Sequence, residues 1–536
     1  MSGDWVSVIP PVLAIGLALL TRQVVVALFL GVWVGAALVE GNPASALLRV
    51  GDQYLIGSLA DADHAAIILF STILGGMVGV LSRSGATEGV VHWLSKRICT
   101  RRGGQVSTAA MGTIIFFDDY ANTLLVGSTM RPLTDRLLIS REKLAWLVDS
   151  TAAPVATVAV ISTWVGFEVG LIQDAMSQLG DGGRAYSFFL QSIPYSYYPL
   201  LTLLFVYLVA ATGRDFGPMR EAEIRAVQTG KVLRPGSRPA SDAPGGSGVR
   251  IGAEPEIDSP SPYLAGIPIL AVILTTALGL FFGGRKAALA EGVVSPGIRD
   301  ILNNADSFSV LTWAALVGAL LAILLAVTSR RLTLPEAMDG FQDGVKSMLI
   351  AVTILILAWS LSAVCEELDT AGFLVQISHQ VLSARLLPLV VFLLAGAVSF
   401  ATGTSWGTMA ILMPLVYPLG QELPLAAGLP VDTSLHIHLA AVSAVLAGAV
   451  FGDHCSPISD TTIMSSLATG SDHVDHVRTQ LPYAVAVALI AALCGYLPVG
   501  FGVSPWLSLT LGCGGVFLLV FGLGKTVPSA RLDGGS

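Results

Sequence analysis

Long apolar stretches without charge decide what this chain can fold into. They run from residues 5 to 21, 23 to 39, 65 to 82, 185 to 213, 259 to 284, 307 to 329, 347 to 365, 433 to 452 and 479 to 524. A helix needs roughly 20 residues to cross about 30 Å of hydrocarbon. Most of these stretches have that length, and the last has room for two spans. Hydrocarbon offers backbone amides no partner, so a spanning segment must bond internally, as helices and closed barrels do. A barrel would need many short segments of alternating polarity, and none are evident, so the expected class is an all-α polytopic membrane protein. Composition agrees, with 53% hydrophobic and 12% charged residues and a mean hydropathy of +0.73. The first stretch lacks a basic leader and a small-residue cleavage site, and reads as a retained helix. Five scattered cysteines (Cys99, Cys365, Cys455, Cys494, Cys513) suggest packing rather than a disulfide framework or a Cys-x-x-Cys site. The net charge of -8 reflects the loops, and no basic footprint for nucleic acid is present.

Lys and Arg collect on the cytoplasmic side of membrane helices, which orients the chain. The loop after the second helix is acidic (Glu40, Asp52, Asp61, Asp63) and reads as external. The next carries Arg83, Lys96, Arg97, Arg101 and Arg102, and residues 131–143 add Arg131, Arg136, Arg141 and Lys143; both read as cytoplasmic. Residues 103–130 therefore enter and leave on one side, as a re-entrant hairpin with Asp118 and Asp119 where its arms meet. A helix from 144 to about 167 leads out and 186–212 leads back, to a hydrophilic segment at 213–262 containing RPGSRPASDAPGGSG, expected to be a flexible cytoplasmic linker. The second half repeats the plan upside down. Helices near 263–282, 308–328 and 347–365 end at Glu366, Glu367 and Asp369, read as a solvated loop. An uncharged stretch at 386–421, broken at ATGTSWGT, makes a second hairpin entering from outside. Residues 436–469 go in, 481–498 come out and 505–523 return.

The expected organisation is thus a membrane repeat at 1–212, the linker at 213–262, an inverted repeat at 263–500 and an extra helix with a tail at 501–536. The N-terminus is placed outside and the C-terminus in the cytoplasm, in the inner membrane. Each repeat holds a re-entrant hairpin and an interrupted helix, the inverted-topology plan of many secondary transporters. Asn122-Thr123 corresponds to Gly407-Thr408, and Ala152-Ala153-Pro154 to Cys455-Ser456-Pro457. Gly31-x-x-x-Gly35 and Gly75-x-x-x-Gly79 read as helix-packing faces.

A carboxylate near the bilayer centre costs about 2.5–3.5 kcal/mol on insertion scales, so Asp118 and Asp119 within IIFFDDYANTLLVG need an offset, which a bound cation supplies. Asn122 and Thr123 add the neutral oxygens that sodium favours. The bland alternative puts both aspartates in a surface loop capping the next helix. A second concentration is VFGDHCSPISDTTIMSS at 450–466. Pro457 interrupts the helix between Asp453 and Asp460, freeing carbonyls that can hold ions. Ser456, Ser459, Thr461 and Thr462 supply hydroxyls, and His454 suits proton movement because its ordinary pKa is near neutrality. Asp460-Thr461-Thr462 also reads as a helix cap. Symmetry adds Thr402, Thr404, Ser405 and Thr408 at the second hairpin, and Asp149, Ser150 and Thr151 before Pro154. His436-x-His438 and His473-x-x-His476 flank a loop without further paired ligands, so no transition metal is expected.

FFDDYANTLLVGSTMRP (116–132), TGTSWGTMAILMPL (402–415) and above all GDHCSPISDTTIMSS (452–466) resemble the NhaC family of sodium/proton antiporters. The resemblance implies electrogenic or electroneutral exchange of Na+ for H+, in a fold similar to the broader ion-transporter superfamily with its paired hairpins. It implies ion-binding roles for Asp118, Asp119 and Asn122, for Thr404 and Ser405, and for Asp453, His454, Ser456 and Asp460. Some relatives exchange malate and lactate, so the family leaves the cargo open.

The expected mechanism is competition of Na+ and H+ for buried carboxylates, with one hairpin-bearing domain moving against a scaffold. The expected partners are Na+, H+ and the lipid bilayer, with a homodimer left open, no cofactor and no nucleic acid. The rival reading is a Na+- or H+-coupled carrier of a small organic anion or amino acid, for which no well-placed intramembrane Arg or Lys is seen. An enzymatic role, as an intramembrane aspartic protease with Asp118 and Asp453 paired, is the remote alternative.

Overall fold

The computed structural model describes residues 5–21, 23–86, 98, 100–116, 118–179, 185–237, 239, 263–290, 296–297, 301, 305–370, 373, 383–457 and 459–527. Helices α1 (Ile9–Thr21) and α2 (Val24–Glu40) are followed by short helices over 43–60, which turn by 117° from α2 and lead into α3 (Ala62–Arg83). Next come α4 (Arg101–Ile114), α5 (Asp119–Arg136), α6 (Arg141–Asp149), the single turn Ala153–Ala156 and α7 (Thr163–Gln178). Helices α8 (Ala185–Ser192) and α9 (Tyr197–Thr212) meet at a bend of 51°, and α10 (Gly217–Thr229) closes the first half. The second half contains α11 (Tyr263–Ala290), α12 (Ser307–Thr328), α13 (Leu334–Ser347), α14 (Leu349–Glu367), α15 (Leu387–Thr402), α16 (Ser405–Ala426) and α17 (Val431–Cys455). It ends with α18 (Asp460–Thr469), α19 (His473–Ile490) and α20 (Pro505–Gly522). Eight of the described helices are long and apolar enough to cross a membrane, or up to ten if each bent pair is one span.

The early helices of the two halves pack on each other as one group: α3 against α12 and α13, α11 against α12, and α2 against α1 and α14. Glycines set the approach, as the two G-x-x-x-G patterns predict. A methyl group on Gly79 would lie 2.8 Å from the Gly344 nitrogen and closer still to the Gly340 carbonyl, while Gly35 is covered by Val364. Close backbone contact of this kind is what small residues permit where lipid removes the hydrophobic drive between helices. Beyond α14 the halves are also tied by polar contacts. Arg49 bonds Glu40 and Glu367, and the Tyr54 hydroxyl donates to Glu367 at 2.6 Å. Glu367 is therefore an ion-paired clasp rather than part of a merely solvated loop.

Two hairpins and two interrupted helices form the other group, built the same way twice. In the second half α15 runs alongside α17 in the same direction. The Phe392 carbonyl meets Gly448, the Ser399 hydroxyl donates to the Ala449 carbonyl at 2.7 Å, and the Ser456 hydroxyl donates to the Phe400 carbonyl at 2.7 Å. The hairpin turn at Gly403 therefore lies level with the break after Cys455. In the first half α4 runs alongside α6: Gly104 sits against Leu137 and Ile139, and Gly112 against Thr151. Its turn is level with the break after Asp149. Helices α6 and α18 then pack head to tail, with Arg141 Nη1 donating to the Gly470 carbonyl at one end and Thr462 meeting Asp149 at the other.

Two expected boundaries need correction. The helix drawn from 144 to about 167 is interrupted over 150–162, as the polar run before Pro154 leads one to expect, but its outer part continues beyond 167 to Gln178. The flexible linker does not begin at 213. Arg214–Asp215 pair antiparallel with Lys525–Thr526, and α10 docks through Met219, Ala222, Glu223 and Ala226. Buried charge explains the docking: Arg101 donates to Glu223 at 2.6 Å, Ser140 N donates to Glu223 at 2.7 Å, and Arg225 donates to Glu142 at 2.8 Å. Lys143, read from the sequence as part of a cytoplasmic basic run, is wholly buried; it donates to Asp215 at 2.5 Å over the Trp146 ring. Residues 240–262 of the expected linker lie outside the described residues.

Candidate ion site at the two broken helices

The turn of the first hairpin places Asp118 just before α5, where its carbonyl accepts the Asn122 N–H. Its buried carboxylate accepts a hydrogen bond from the Thr163 hydroxyl at 3.1 Å, the first residue of α7. Asp119 opens α5 and is buried as well. Both acids therefore sit at a helix N-terminus, whose partial positive charge favours anions.

Asn122 ties the hairpin to the break. Its Nδ2 donates toward the carbonyls of Gly112 (2.6 Å), Thr151 (2.9 Å) and Ile115 (3.1 Å). Three acceptors around one end of the amide fix which end is nitrogen. The other end, Oδ1, is buried with no hydrogen-bond donor among the described residues, and the same holds for the Thr123 hydroxyl oxygen. Gly112 makes the arrangement feasible, because a methyl there would sit 2.6 Å from Thr151 Cβ.

On the other side of the first break lies the third motif, GDHCSPISDTTIMSS. Asp453 accepts from the hydroxyls of Ser459 (2.9 Å) and Thr461 (3.0 Å). Ser459 also caps α18, accepting from Thr462 N. Thr462 Oγ1 faces the Asp149 carboxylate at 3.2 Å and the Asp453 backbone carbonyl at 3.5 Å, linking the first break to the second. Gln480 Nε2 donates to Asp149 at 2.6 Å and to the His454 carbonyl. His454 bridges the two breaks, with Nε2 bonded to the Ser150 hydroxyl at 2.9 Å and Nδ1 to the Tyr198 hydroxyl at 2.7 Å. A chain of polar groups leads on from Asp149. His476 Nε2 is 3.8 Å from Asp149, its Nδ1 bonds Ser466 at 2.9 Å, and Ser466 bonds His473 at 3.1 Å.

The candidate residues thus gather in two adjoining groups on either face of residues 149–151. One holds Asp118, Asp119, Asn122 and Thr123; the other holds Asp149, Ser150, Asp453, His454, Ser459 and Thr461. Ser456 joins the second hairpin to the break. Thr402 and Thr404 serve their own hairpin: Thr402 donates to the Val398 carbonyl at 2.9 Å, and Thr404 caps α16. Ser405 is buried at the start of α16. Asp460 opens α18; its side chain lies outside the described residues. Sequence reasoning missed Thr163 and Tyr198, set His476 aside as half of a loop-flanking pair, and missed Gln480. The last two stand one turn apart on α19 where polar residues enter an apolar run, and that was the available signal. A crevice lined by Ile68, Thr163, Phe167, Met348, Val352, Leu355 and Trp406 runs between the two helix groups to the partner of Asp118.

The sequence profile of the Na+/H+ antiporter family matches residues 155–501. The chain belongs to that family. The match contains the second and third motifs, whereas the Asp118 motif precedes it. An uncharacterized protein of Haemophilus influenzae is 30% identical over 532 residues, 98% of this chain and 96% of its own. The Na+/H+ antiporter NhaC of Alkalihalophilus pseudofirmus is 28% identical over 163 residues, 29% of this chain and 32% of that protein. The malate-2H+/Na+-lactate antiporter of Bacillus subtilis is 30% identical over 168 residues, 30% of this chain and 31% of that protein. The expected kinship with NhaC proteins holds. The fold is similar to that of two solved transporters. Alcanivorax borkumensis YdaH has a TM-score of 0.55 at 14% identity, covering 86% of this chain and 90% of its own. Neisseria gonorrhoeae MtrF has a TM-score of 0.55 at 15% identity, covering 90% of this chain and 87% of its own.

Proposed function

We propose that this family member exchanges Na+ for H+ across the inner membrane by alternating access, its aspartates binding one ion or the other. The observation that carries the proposal is the pair of buried oxygens, Asn122 Oδ1 and Thr123 Oγ1, which have no hydrogen-bond donor among the described residues and stand within a turn of two buried aspartates. Buried acceptors are rarely left unsatisfied, and hard oxygen donors suit a hard cation.

Sodium is the cargo. Asp118, Asn122 and Thr123 would hold it on one side of the break, and Asp149 and Asp453 on the other. Protonation of a carboxylate removes the charge that attracts the cation, so each ion displaces the other. An aspartate carrying neither would be a bare charge in a low-dielectric path, which makes the empty carrier slow to reorient. The crevice at Thr163 and Trp406 lies between the helix groups that would move relative to each other. The basic loops support a reading with the N-terminus outside and the C-terminus in the cytoplasm.

An organic-anion carrier is the second reading, favoured by the likeness to the malate/lactate antiporter. It needs a cation for the carboxylate, and Lys143 is held by Asp215 while Arg141 is held by Asp135. The test is purified protein in liposomes with an internal pH dye, challenged separately with Na+, Li+, K+, malate and lactate. Na+-driven proton movement is expected, abolished by Asp118→Asn and by Asp453→Asn. Undiminished exchange in both variants would defeat the site assignment.

A further inference from the structure

We propose that Glu168 is a second proton-carrying carboxyl, separate from the aspartate cluster, that takes up and releases one H+ in each exchange cycle. Glu168 lies on α7 with no exposed surface. It is five residues beyond Thr163, the partner of Asp118, or about 7.5 Å further along the helix axis. The sequence reading ended this helix at about 167 and so left Glu168 out of the apolar segment to which it belongs.

One of its oxygens is held. The Thr157 hydroxyl, in the irregular backbone of the first break, donates to Oε1 at 2.5 Å. The other oxygen, Oε2, is buried without a hydrogen-bond partner among the described residues, and no ion pair to Glu168 is present among them. The elements packed on α7 offer no neutralising charge. On α3, His64 lies 3.7 Å from Asp174, itself on α7, and Arg83 faces Asp339 and Asp343; the Asp63 side chain lies outside the described residues. On α8, the Tyr186 hydroxyl donates to the Val160 carbonyl. On α14, Cys365, Glu366 and Glu367 stand at the end of the helix, where Glu367 meets Arg49. On α16, Tyr417 packs against His438, and Glu422 is near the end of the helix.

A buried carboxylate with a single hydroxyl donor is costly as an anion, and an ionisable group inside a membrane segment marks a functional site by default. What remains to neutralise it is a cation or a proton. The oxygens at hand decide between them: the Thr157 hydroxyl is the one group bonded to the carboxyl among the described residues, too few ligands for a metal ion and enough for an acid that binds a proton. Sodium finds more oxygens at the aspartates. The step is simple protonation: the carboxylate binds H+ to become the neutral acid and releases it on the other side.

This inference rests on the exchange reading, and adds one proton per Na+ to those the aspartates release. The experiment is a reversal measurement in liposomes, in which opposed Na+ and H+ gradients are adjusted until net flux stops. Wild type without Na+-coupled flux would defeat the exchange reading itself. With wild type active, Glu168→Gln is expected to exchange with one fewer proton per Na+. An unchanged ratio overturns the proposal. Should that variant fail to insert, Thr157→Val removes the donor to Oε1 and is expected to move the pH profile of exchange to higher pH. A profile coincident with wild type overturns the proposal.

Discussion

Replacing Gly112 by alanine tests whether contact between the first hairpin and the first break builds the site. The added methyl would sit 2.6 Å from Thr151 Cβ and nearer still to its hydroxyl oxygen. Ordinary carbon contacts need about 3.5 Å or more, so α4 and the break must separate by roughly 1 Å. Overpacking of this kind costs about 1–3 kcal/mol, which a chain of this size can absorb while remaining folded. The functional effect is the larger one. The Gly112 carbonyl accepts from Asn122 at 2.6 Å and the Thr151 carbonyl accepts at 2.9 Å, so separating them releases the amide that aims Oδ1. Misplacement by 1 Å costs on the order of 100-fold where geometry decides the rate. Gly112→Ala is therefore expected to lower Na+-driven proton flux about 100-fold with a near-normal elution profile. Adding Thr151→Gly, which removes the obstructing atoms, is expected to restore part of the flux. Gly51→Ala, where nothing lies within 4 Å, serves as the control. Full flux in Gly112→Ala would refute the claim that this contact shapes the site.

Arg101→Ala leaves Glu223 buried beside Asp215 without its closest cation, and breaking a buried pair costs about 3–5 kcal/mol. Cleavage within residues 217–237 by added protease should become faster, and Glu223→Gln in the same chain should slow it again. Burial already holds the Glu223 carboxyl above its ordinary range, with Arg101 opposing the shift. A raised folded-state pKa gives stability that is present below the unfolded value and lost as pH rises through the folded one. Melting of Arg101→Ala should therefore fall more steeply than wild type from acid to neutral pH, and parallel curves would contradict the reading. Gly79→Ala, forced against Gly344 and Gly340, is expected to lower the melting temperature at a cost of about 1–3 kcal/mol. Gly16→Ala, in open space, should not.

What could be read from the sequence was whatever breaks a long-range regularity. Asp118 and Asp119 interrupt an apolar hairpin, Pro457 interrupts a long helix, and each marks its place without knowledge of any neighbour. Gly79 and Gly35 likewise show their role through spacing along one helix face. Residues defined by contact across the chain were harder to see. Asp149 is suggested by symmetry alone, and only Thr462 and Gln480, more than 300 positions away, tie its carboxylate to the other motif. Lys143 has the look of a topology signal because its sequence neighbours are basic, and only the fold brings Asp215 and Tyr483 to it. The docking of α10 depends on Glu223 meeting Arg101, 122 positions earlier, and local composition near a Pro- and Gly-rich run conceals that.

Calorimetry of Na+ binding to the purified protein, repeated in buffers of different ionisation enthalpy, counts the protons released as the cation enters. Shared occupancy of the aspartates predicts release that grows as the pH is lowered, with Na+ affinity weakening in step, and loss of both dependences in Asp118→Asn with Asp453→Asn. Sodium binding of constant affinity with no proton release across the same pH range would contradict the account.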